Sequence, residues 1–153
     1  YPYYRMKEED AEVISIGPDH KVYKGKYGMP VEPDKSIDEV NEKEFDALII
    51  PGGYAPDHMR RKPAMINFVR DIAEHRKPIA AICHAGWMLA SADVIKGVRL
   101  TSFFAIKDDL INAGARWEDK PVMVDKNFIT SRNPDDLPVF CAALIQMLSE
   151  SAA

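Results

Sequence analysis

The chain has little of what several functional classes require. Among its 153 residues are only two cysteines and four histidines. The cysteines, Cys83 and Cys141, form no C-x-x-C pair and have no metal-ligand spacing. We therefore expect no disulfide framework, no metal site and no cofactor, and the scarcity of cysteine favours a reduced, cytoplasmic protein.

Long apolar runs and clustered positive charge are also missing. No apolar stretch reaches the roughly 18 residues that a membrane helix needs. The formal net charge is −4, and basic residues cluster only at Arg60, Arg61 and Lys62. This pattern predicts no membrane span and no nucleic-acid partner. Hydrophobic residues make up 46% of the chain, which is enough for the core of one domain over residues 1–153.

Short apolar runs alternate with amphipathic segments. Residues 11–16, 45–50 and 79–82 predict strands, and residues 63–76 predict a helix with apolar positions at helical spacing. Residues 121–130 predict a hairpin. This alternation is typical of an α/β fold with a parallel sheet covered on both faces. Such folds place their sites at the carboxyl ends of the strands.

The strand at residues 79–82 runs directly into Cys83 and His84. Small residues, Ala81 and Ala85, flank the cysteine two positions away on each side, as a nucleophile elbow requires. A cysteine at a helix N-terminus faces free N–H groups that favour the thiolate, and His84 can exchange its proton. The pattern alone leaves another interpretation open, in which Cys83 is a small buried residue at a strand end.

A glycine turn follows the strand at residues 45–50. Adjacent glycines, Gly52 and Gly53, let backbone N–H groups approach a ligand closely. The N–H groups of Gly53 and His84 are therefore candidates for an oxyanion hole, and Asp57 is a candidate to orient a histidine. An ordinary tight turn and a solvated acid are the alternatives.

Seven stretches match one family pattern in order along the chain: YPY (1–3), KGKYG (24–28), FDALIIPGG (45–53), AAICH (80–84), IKDD (106–109), NAGA (112–115) and TSRNPDDLP (130–138). Together they resemble the DJ-1/PfpI superfamily, in particular its PfpI-like intracellular protease and deglycase branch. The resemblance implies a flavodoxin-like three-layer sandwich with a mostly parallel central sheet, similar to that of class I glutamine amidotransferases.

The resemblance also implies roles for individual residues. Cys83 is the nucleophile, His84 is its neighbour, and Gly53 and His84 are the backbone donors. The third member is an acid from a neighbouring subunit, which implies a homo-oligomer. Its motif position is Asp57 here, where the family usually has the longer glutamate. The predicted pocket residues are Gly52, Tyr54, Trp87 and Arg132.

The family has a first strand and a cysteine-contacting glutamate just before the Tyr-Pro-Tyr segment. Neither is in this sequence. The resemblance therefore leads us to expect that the native protein has residues before Tyr1.

Two functions from different classes remain open. In the first, the Cys83 thiolate attacks an electrophilic carbonyl of methylglyoxal, of a glycated protein, or of a peptide bond. The glyoxalase or deglycase route is favoured over proteolysis because no peptide amine must leave. In the second, the protein is a non-catalytic redox sensor or chaperone of the stress response. Cys83 is then oxidised and His84 has no part.

Overall fold

Helices pack on both faces of a central sheet in the computed structural model, which describes residues 1–151. Within that range the strands are β1 (Ile16–Gly17), β2 (Tyr23–Lys24), β3 (Pro30–Val31), β4 (Lys35–Ser36), β5 (Leu48–Ile50), β6 (Ile79–Ile82), β7 (Arg99–Leu100), β8 (Arg116–Trp117), β9 (Val122–Asp125) and β10 (Phe128–Ser131). The α-helices there are α1 (Pro2–Glu8), α2 (Ala55–Met59), α3 (Pro63–Glu74), α4 (Gly86–Ser91), α5 (Lys107–Asn112) and α6 (Leu137–Ser151).

The central sheet has the strand order β5-β6-β10-β9. Strand β6 runs parallel to both β5 and β10, and only β9 is antiparallel. This architecture confirms the predicted α/β fold with a mostly parallel sheet. Because Ile50 is paired with Ala81, the turn after β5 and the elbow after β6 leave the sheet side by side.

Two apolar cores lie on opposite faces of the sheet. Strand β6 divides its side chains between them, as the two-residue period of a strand dictates. Ile79 and Ala81 pack into the core that contains Ile72 of α3 and Leu89 of α4. Ala80 and Ile82 of β6 pack into the core that contains Phe140 of α6. Each large side chain buried there contributes about 1.5–3 kcal/mol, so the strand that carries the elbow is held from both sides.

The predicted strand at residues 11–16 is wrong over most of its length. Only Ile16 and Gly17 pair, with Lys35 and Ser36, in a separate two-stranded sheet. Ser15 is instead held by the side chain of Asp34, which accepts its N–H at 2.8 Å. Within residues 1–151, β5 has a paired strand on one side only. The carbonyl of Ser15 still accepts from the N–H of Lys35 at 3.1 Å, but the paired strand itself is only Ile16–Gly17.

The other predicted elements are present, but the strand predicted over residues 45–50 is shortened to Leu48–Ile50 because Phe45 still ends a turn of 3₁₀ helix. Strands β9 and β10 form the predicted hairpin, and α3 begins at Pro63 with Phe68, Val69 and Ile72 buried at helical spacing. None of the helices within residues 1–151 combines the length and apolar character needed to cross a bilayer.

Candidate active site

The elbow at Cys83 is strained in the way that its predicted role requires. The backbone of Cys83 has a φ of 61°, a left-handed conformation that costs a residue with a side chain about 1–3 kcal/mol. Residues 83–85 form one turn of 3₁₀ helix between β6 and α4. Ala81 and Ala85 are buried on either side, and the N–H of Phe103 donates to the carbonyl of Cys83 at 3.2 Å. The turn therefore leaves the half-buried Cys83 side chain at the carboxyl end of the sheet.

His84 lies beside the thiol, as predicted. Its Nδ1 is 3.2 Å from the Sγ of Cys83, and its ring stacks on Phe103 with centroids 4.9 Å apart and 28° between the ring planes. Partial burial lowers the pKa of His84 below its usual value of 6.5. The imidazole is therefore neutral near pH 7, and a neutral imidazole can accept the proton of the thiol.

Gly52 packs its backbone directly against the nucleophile. A Cβ atom at this position would lie 2.6 Å from the Cβ of Cys83 and 3.1 Å from the carbonyl oxygen of Ile82. Only glycine allows the two turns to approach this closely.

Gly53 follows with a φ of 70°. Within residues 1–151 its N–H donates to no recorded acceptor. A free N–H beside the nucleophile has the chemistry of an oxyanion donor, and this role stays a prediction.

Cys83 borders a cavity of about 230 Å³ with apolar walls. The cavity is lined by Pro2, Ile49, Pro51, Gly52, Gly53, Ile82, Cys83, Pro134 and Leu137. A larger groove of about 710 Å³ lies near the other ends of β6 and β10, where it touches Pro78 and Phe128 but none of the predicted site residues. The reactive groups, and not the size of the cavity, identify the candidate site.

Asp57 does not contact His84 within one chain. It lies in the first turn of α2 and binds Arg60 at 3.1 Å and Arg61. Hydrogen bonds from Arg61 and then Arg60 lower the pKa of Asp57, so the carboxylate is ionised at neutral pH. The role of Asp57 as the acid from a neighbouring subunit stays a prediction.

The four predicted pocket residues occupy different places. Gly52 lines the cavity next to Cys83. Trp87 lies on another side of the site, with its ring centroid 5.1 Å from that of His84. Tyr54 is 61% exposed and meets Trp87 edge to face. Neither aromatic residue borders the cavity.

Arg132 does not line the cavity either. Its guanidinium donates to the carboxylate of Asp136 at 3.0 and 3.1 Å and to Asp119 at 2.8 Å. The cation is therefore already paired, and the neighbouring Pro134 and Leu137 reach the cavity in its place. The TSRNPDDLP stretch does lie in a loop that borders the cavity, but the ion pair with the buried Asp136 determines where the Arg132 guanidinium points.

Because of the Arg132–Asp136 ion pair, we expect part of the free energy of unfolding to be lost at acid pH. Burial opposes ionisation of Asp136, but bonds from Arg132 outweigh it and lower the pKa of this carboxyl. A depressed folded-state pKa contributes stability that is present above the unfolded value near 3.9 and is lost as the pH falls through the folded value. We expect Asp136→Asn to lower the free energy of unfolding by about 1–3 kcal/mol at pH 7 in urea denaturation. The difference from the parent should shrink below about pH 4.

Asp135→Asn is the matched control for that measurement. Asp135 is the adjacent acid, but it is exposed, so this change should alter the free energy of unfolding by no more than about 0.5 kcal/mol. A deficit in Asp136→Asn that stays constant from neutral to strongly acidic pH would contradict the ion pair as its cause.

Two contacts of the site escaped prediction from sequence. Phe103 stacks on His84, and the guanidinium of Arg60 lies 4.7 Å from the ring centre of Trp87. The one available signal was the position of Phe103 three residues after the end of β7. Within residues 1–151 no group of three or more histidine, cysteine or acidic side chains is arranged to hold a metal ion.

Comparison with known proteins gives one consistent match. The sequence model of the DJ-1/PfpI family matches residues 1–147. The chain is 48% identical over 140 residues to an Escherichia coli (strain K12) protein named protein/nucleic acid deglycase 2, covering 90% of this chain and 81% of that protein. It is 43% identical over 124 residues to Bacillus subtilis (strain 168) YraA, named as a candidate cysteine protease, covering 81% and 73%.

A solved structure shares the same fold. It is a two-domain protein from Anabaena variabilis with DJ-1/ThiJ/PfpI-like and ferritin-like domains, and it matches with a TM-score of 0.94 and 41% identity. The match covers 97% of this chain and 43% of that one, so the similarity spans less than half of the two-domain protein.

Proposed function

This chain belongs to the DJ-1/PfpI family, and on that basis we propose that it is a cysteine-dependent enzyme acting on electrophilic carbonyls, as a deglycase-type hydrolase. One observation carries the proposal. The Sγ of Cys83 lies on a strained elbow, 3.2 Å from the Nδ1 of His84, and it borders an apolar cavity. An activated nucleophile needs a base within reach, and this pair supplies both groups.

The proposed reaction begins at an aminocarbinol, the adduct of methylglyoxal with an amine. His84 takes the thiol proton, sulfur forms a bond to the aminocarbinol carbon, and the C–N bond breaks. The amine leaves with the proton held by His84, which produces a hemithioacetal. Free methylglyoxal reaches the same intermediate when sulfur adds to its aldehyde carbon.

The hemithioacetal must then become a product. A proton moves from the carbon that bears sulfur to the neighbouring carbonyl carbon, through an enediol, and a thioester of lactate results. Water hydrolyses the thioester and restores the thiol of Cys83. The net change is the uptake of one water and the release of lactate, together with the free amine when the substrate is an adduct. Gly53 N–H is the proposed donor to the oxyanion.

Peptide-bond hydrolysis is the alternative that the Bacillus subtilis relative favours. It requires a poor leaving group, the peptide amine, to be protonated as it departs. Within residues 1–151 of one chain, His84 is the single candidate for this acid beside Cys83. An acid from a second subunit, for which Asp57 is the candidate in a homo-oligomer, would make proteolysis easier.

The substrate that carries the methylglyoxal adduct is either a protein or a nucleic acid, and the two must be compared by experiment. The sequence predicted no nucleic-acid partner, but the name of the Escherichia coli relative includes nucleic acid. A glycated nucleotide therefore belongs in the substrate panel beside a glycated amino acid.

The test is product analysis with purified protein. We expect lactate to be released, with saturation kinetics, from methylglyoxal adducts of N-acetylated amino acids or guanosine monophosphate, and release to stop after alkylation mapped to Cys83. Cleavage of a fluorogenic peptide without lactate release would favour the protease. If neither reaction occurs while peroxide oxidises Cys83, the sensor is supported and the enzyme is rejected.

A further inference from the structure

We propose that Trp87 positions the imidazole of His84 toward Cys83 by packing against its ring. The proposal depends on the proposed function only in taking Cys83 as the nucleophile. Trp87 touches the histidine and not the cavity beside the thiol. It is therefore a positioning residue, not a catalytic one.

His84 has one recorded polar contact within residues 1–151, from Nδ1 to Cys83. The ring torsion of histidine is soft, so a single contact leaves the imidazole free to turn. Nucleophile–base pairs usually solve this problem with a third group that orients the base. In this chain the contacts available for that purpose are aromatic.

Two rings bracket the imidazole. Phe103 stacks on it at 4.9 Å, and Trp87 lies 5.1 Å away at an angle of 59°. Tilted and stacked aromatic pairs at these separations are favourable and directional. Both contacts therefore favour one orientation of the imidazole ring.

Trp87 is itself fixed from two neighbouring helices. Its Nε1–H donates to Asp109 of α5 at 2.8 Å. The guanidinium of Arg60, the residue that follows α2, lies 4.7 Å from the indole centre, and Asp57 of α2 holds that guanidinium at 3.1 Å. The indole is therefore anchored at its edge and on its face.

The contacts also suggest a part for Asp57 inside its own chain. The carboxylate holds Arg60, Arg60 lies over Trp87, and Trp87 packs on His84. The acid at the motif position is thus connected to the histidine through two intermediate side chains. No bond from Asp57 to His84 is needed for this effect.

The positioning role has a titration consequence, because the rings that hold His84 also shield it from water. Removing Trp87 should expose the imidazole and raise the pKa of His84 toward 6.5. The charged or titratable groups facing the two rings and His84 are Cys83, Tyr54, Arg60 and Asp109, with Asp57 behind Arg60 and His58 behind Tyr54. The parent protein and the variants share all of them, so their contribution is constant across the comparison.

The experiment compares Trp87→Leu with Trp117→Leu. Trp117 is the other tryptophan, is also half-buried, and donates its indole N–H at 3.0 Å, but to Ser102. Histidine-labelled protein is titrated by NMR, with the His84 signal assigned by His84→Gln. The rate of Cys83 alkylation is measured from pH 5 to pH 9 in the same samples, together with kcat and KM for the adduct.

For Trp87→Leu we expect a raised His84 pKa, a changed pH profile of Cys83 alkylation, and kcat lower by about 10- to 100-fold. KM should stay within about 2-fold because the cavity is untouched. Trp117→Leu should leave the His84 titration unchanged. Trp87→Phe keeps a ring but loses the N–H to Asp109. Its His84 pKa and its kcat should lie between those of the parent protein and those of Trp87→Leu, and it provides a milder variant if leucine prevents folding.

Other outcomes would overturn the inference. A raised KM with unchanged kcat would make Trp87 part of the substrate pocket. If a folded Trp87→Leu protein keeps the His84 titration and the kcat of the parent, Trp87 has only a packing role. If the parent protein turns over no adduct, the proposed function fails, but the NMR titration and the alkylation profile still decide the role of Trp87.

Discussion

Replacing Cys83 with serine should lower kcat/KM for methylglyoxal adducts by at least about 10³-fold. The hydroxyl would occupy nearly the same position beside His84, but an alcohol is far less acidic than a thiol and a neutral imidazole activates it poorly. The loss should fall on kcat, because the cavity that receives the substrate is unchanged. Lactate release measured under saturating adduct gives the result directly.

Cys141→Ala is the matched control for that substitution. Cys141 lies on α6 and is 1% exposed, and burial raises the pKa of its thiol. It is therefore a core residue, and its removal should leave kcat/KM unchanged within about 2-fold while costing roughly 1 kcal/mol of stability. Full lactate release by the Cys83→Ser protein would rule out the mechanism proposed above.

The same pair of variants separates the enzyme from the redox sensor. Peroxide treatment oxidises Cys83 under both hypotheses, because both place an oxidisable sulfur at the elbow. Turnover is the measurement on which they differ. A sensor has no substrate to lose, so the parent and Cys83→Ser proteins would then be equally inactive towards every adduct.

Gly52→Ala should be nearly as damaging as loss of the thiol, although the residue carries no reactive group. The new Cβ would lie 2.6 Å from the Cβ of Cys83 and 3.4 Å from its Sγ, so one of the two turns must move. Overpacking of this kind costs about 1–3 kcal/mol. A displacement of the nucleophile by about 1 Å lowers kcat on the order of 10²-fold. Urea denaturation and adduct kinetics measure the two effects.

Gly53→Ala isolates backbone strain from steric contact. A Cβ at Gly53 meets no atom within 4 Å, but its φ of 70° disfavours any side chain. We expect a loss of about 1 kcal/mol in stability and a smaller fall in kcat than Gly52→Ala produces. If Gly53→Ala reduces kcat more than Gly52→Ala does, the close approach at Gly52 is not what sets the geometry of the nucleophile.

The sequence predicted the parts of the site that local chemistry determines. The run Ile79–Ile82 is apolar at every position and ends in a cysteine between small residues, so both the buried strand and the elbow could be predicted from neighbouring residues. The close approach of Gly52 to Cys83 could be predicted only in part. Parallel strands send their carboxyl ends to one edge, but the separation depends on the register of β5 against β6.

Other features depend on contacts between distant parts of the chain and were beyond prediction. Residues 11–15 look like a strand, but a strand also needs a partner along its length, and within residues 1–151 the pairing with β4 covers only Ile16 and Gly17. Arg132 lies in a loop near the cavity, but its direction is set by a buried Asp136. Phe103 is separated from His84 by nineteen positions of sequence and meets it only after β7 takes its place beside the sheet.

The backbone conformation of Cys83 carries a consequence for how this sequence can change over time. A left-handed residue at the elbow is a position where glycine would relieve strain, so random substitution there offers a more stable chain that has lost its sulfur. Most changes that stabilise a fold are neutral for function, but this one would not be. Under the proposed function, selection for folding and selection for reactivity therefore oppose each other at this one position.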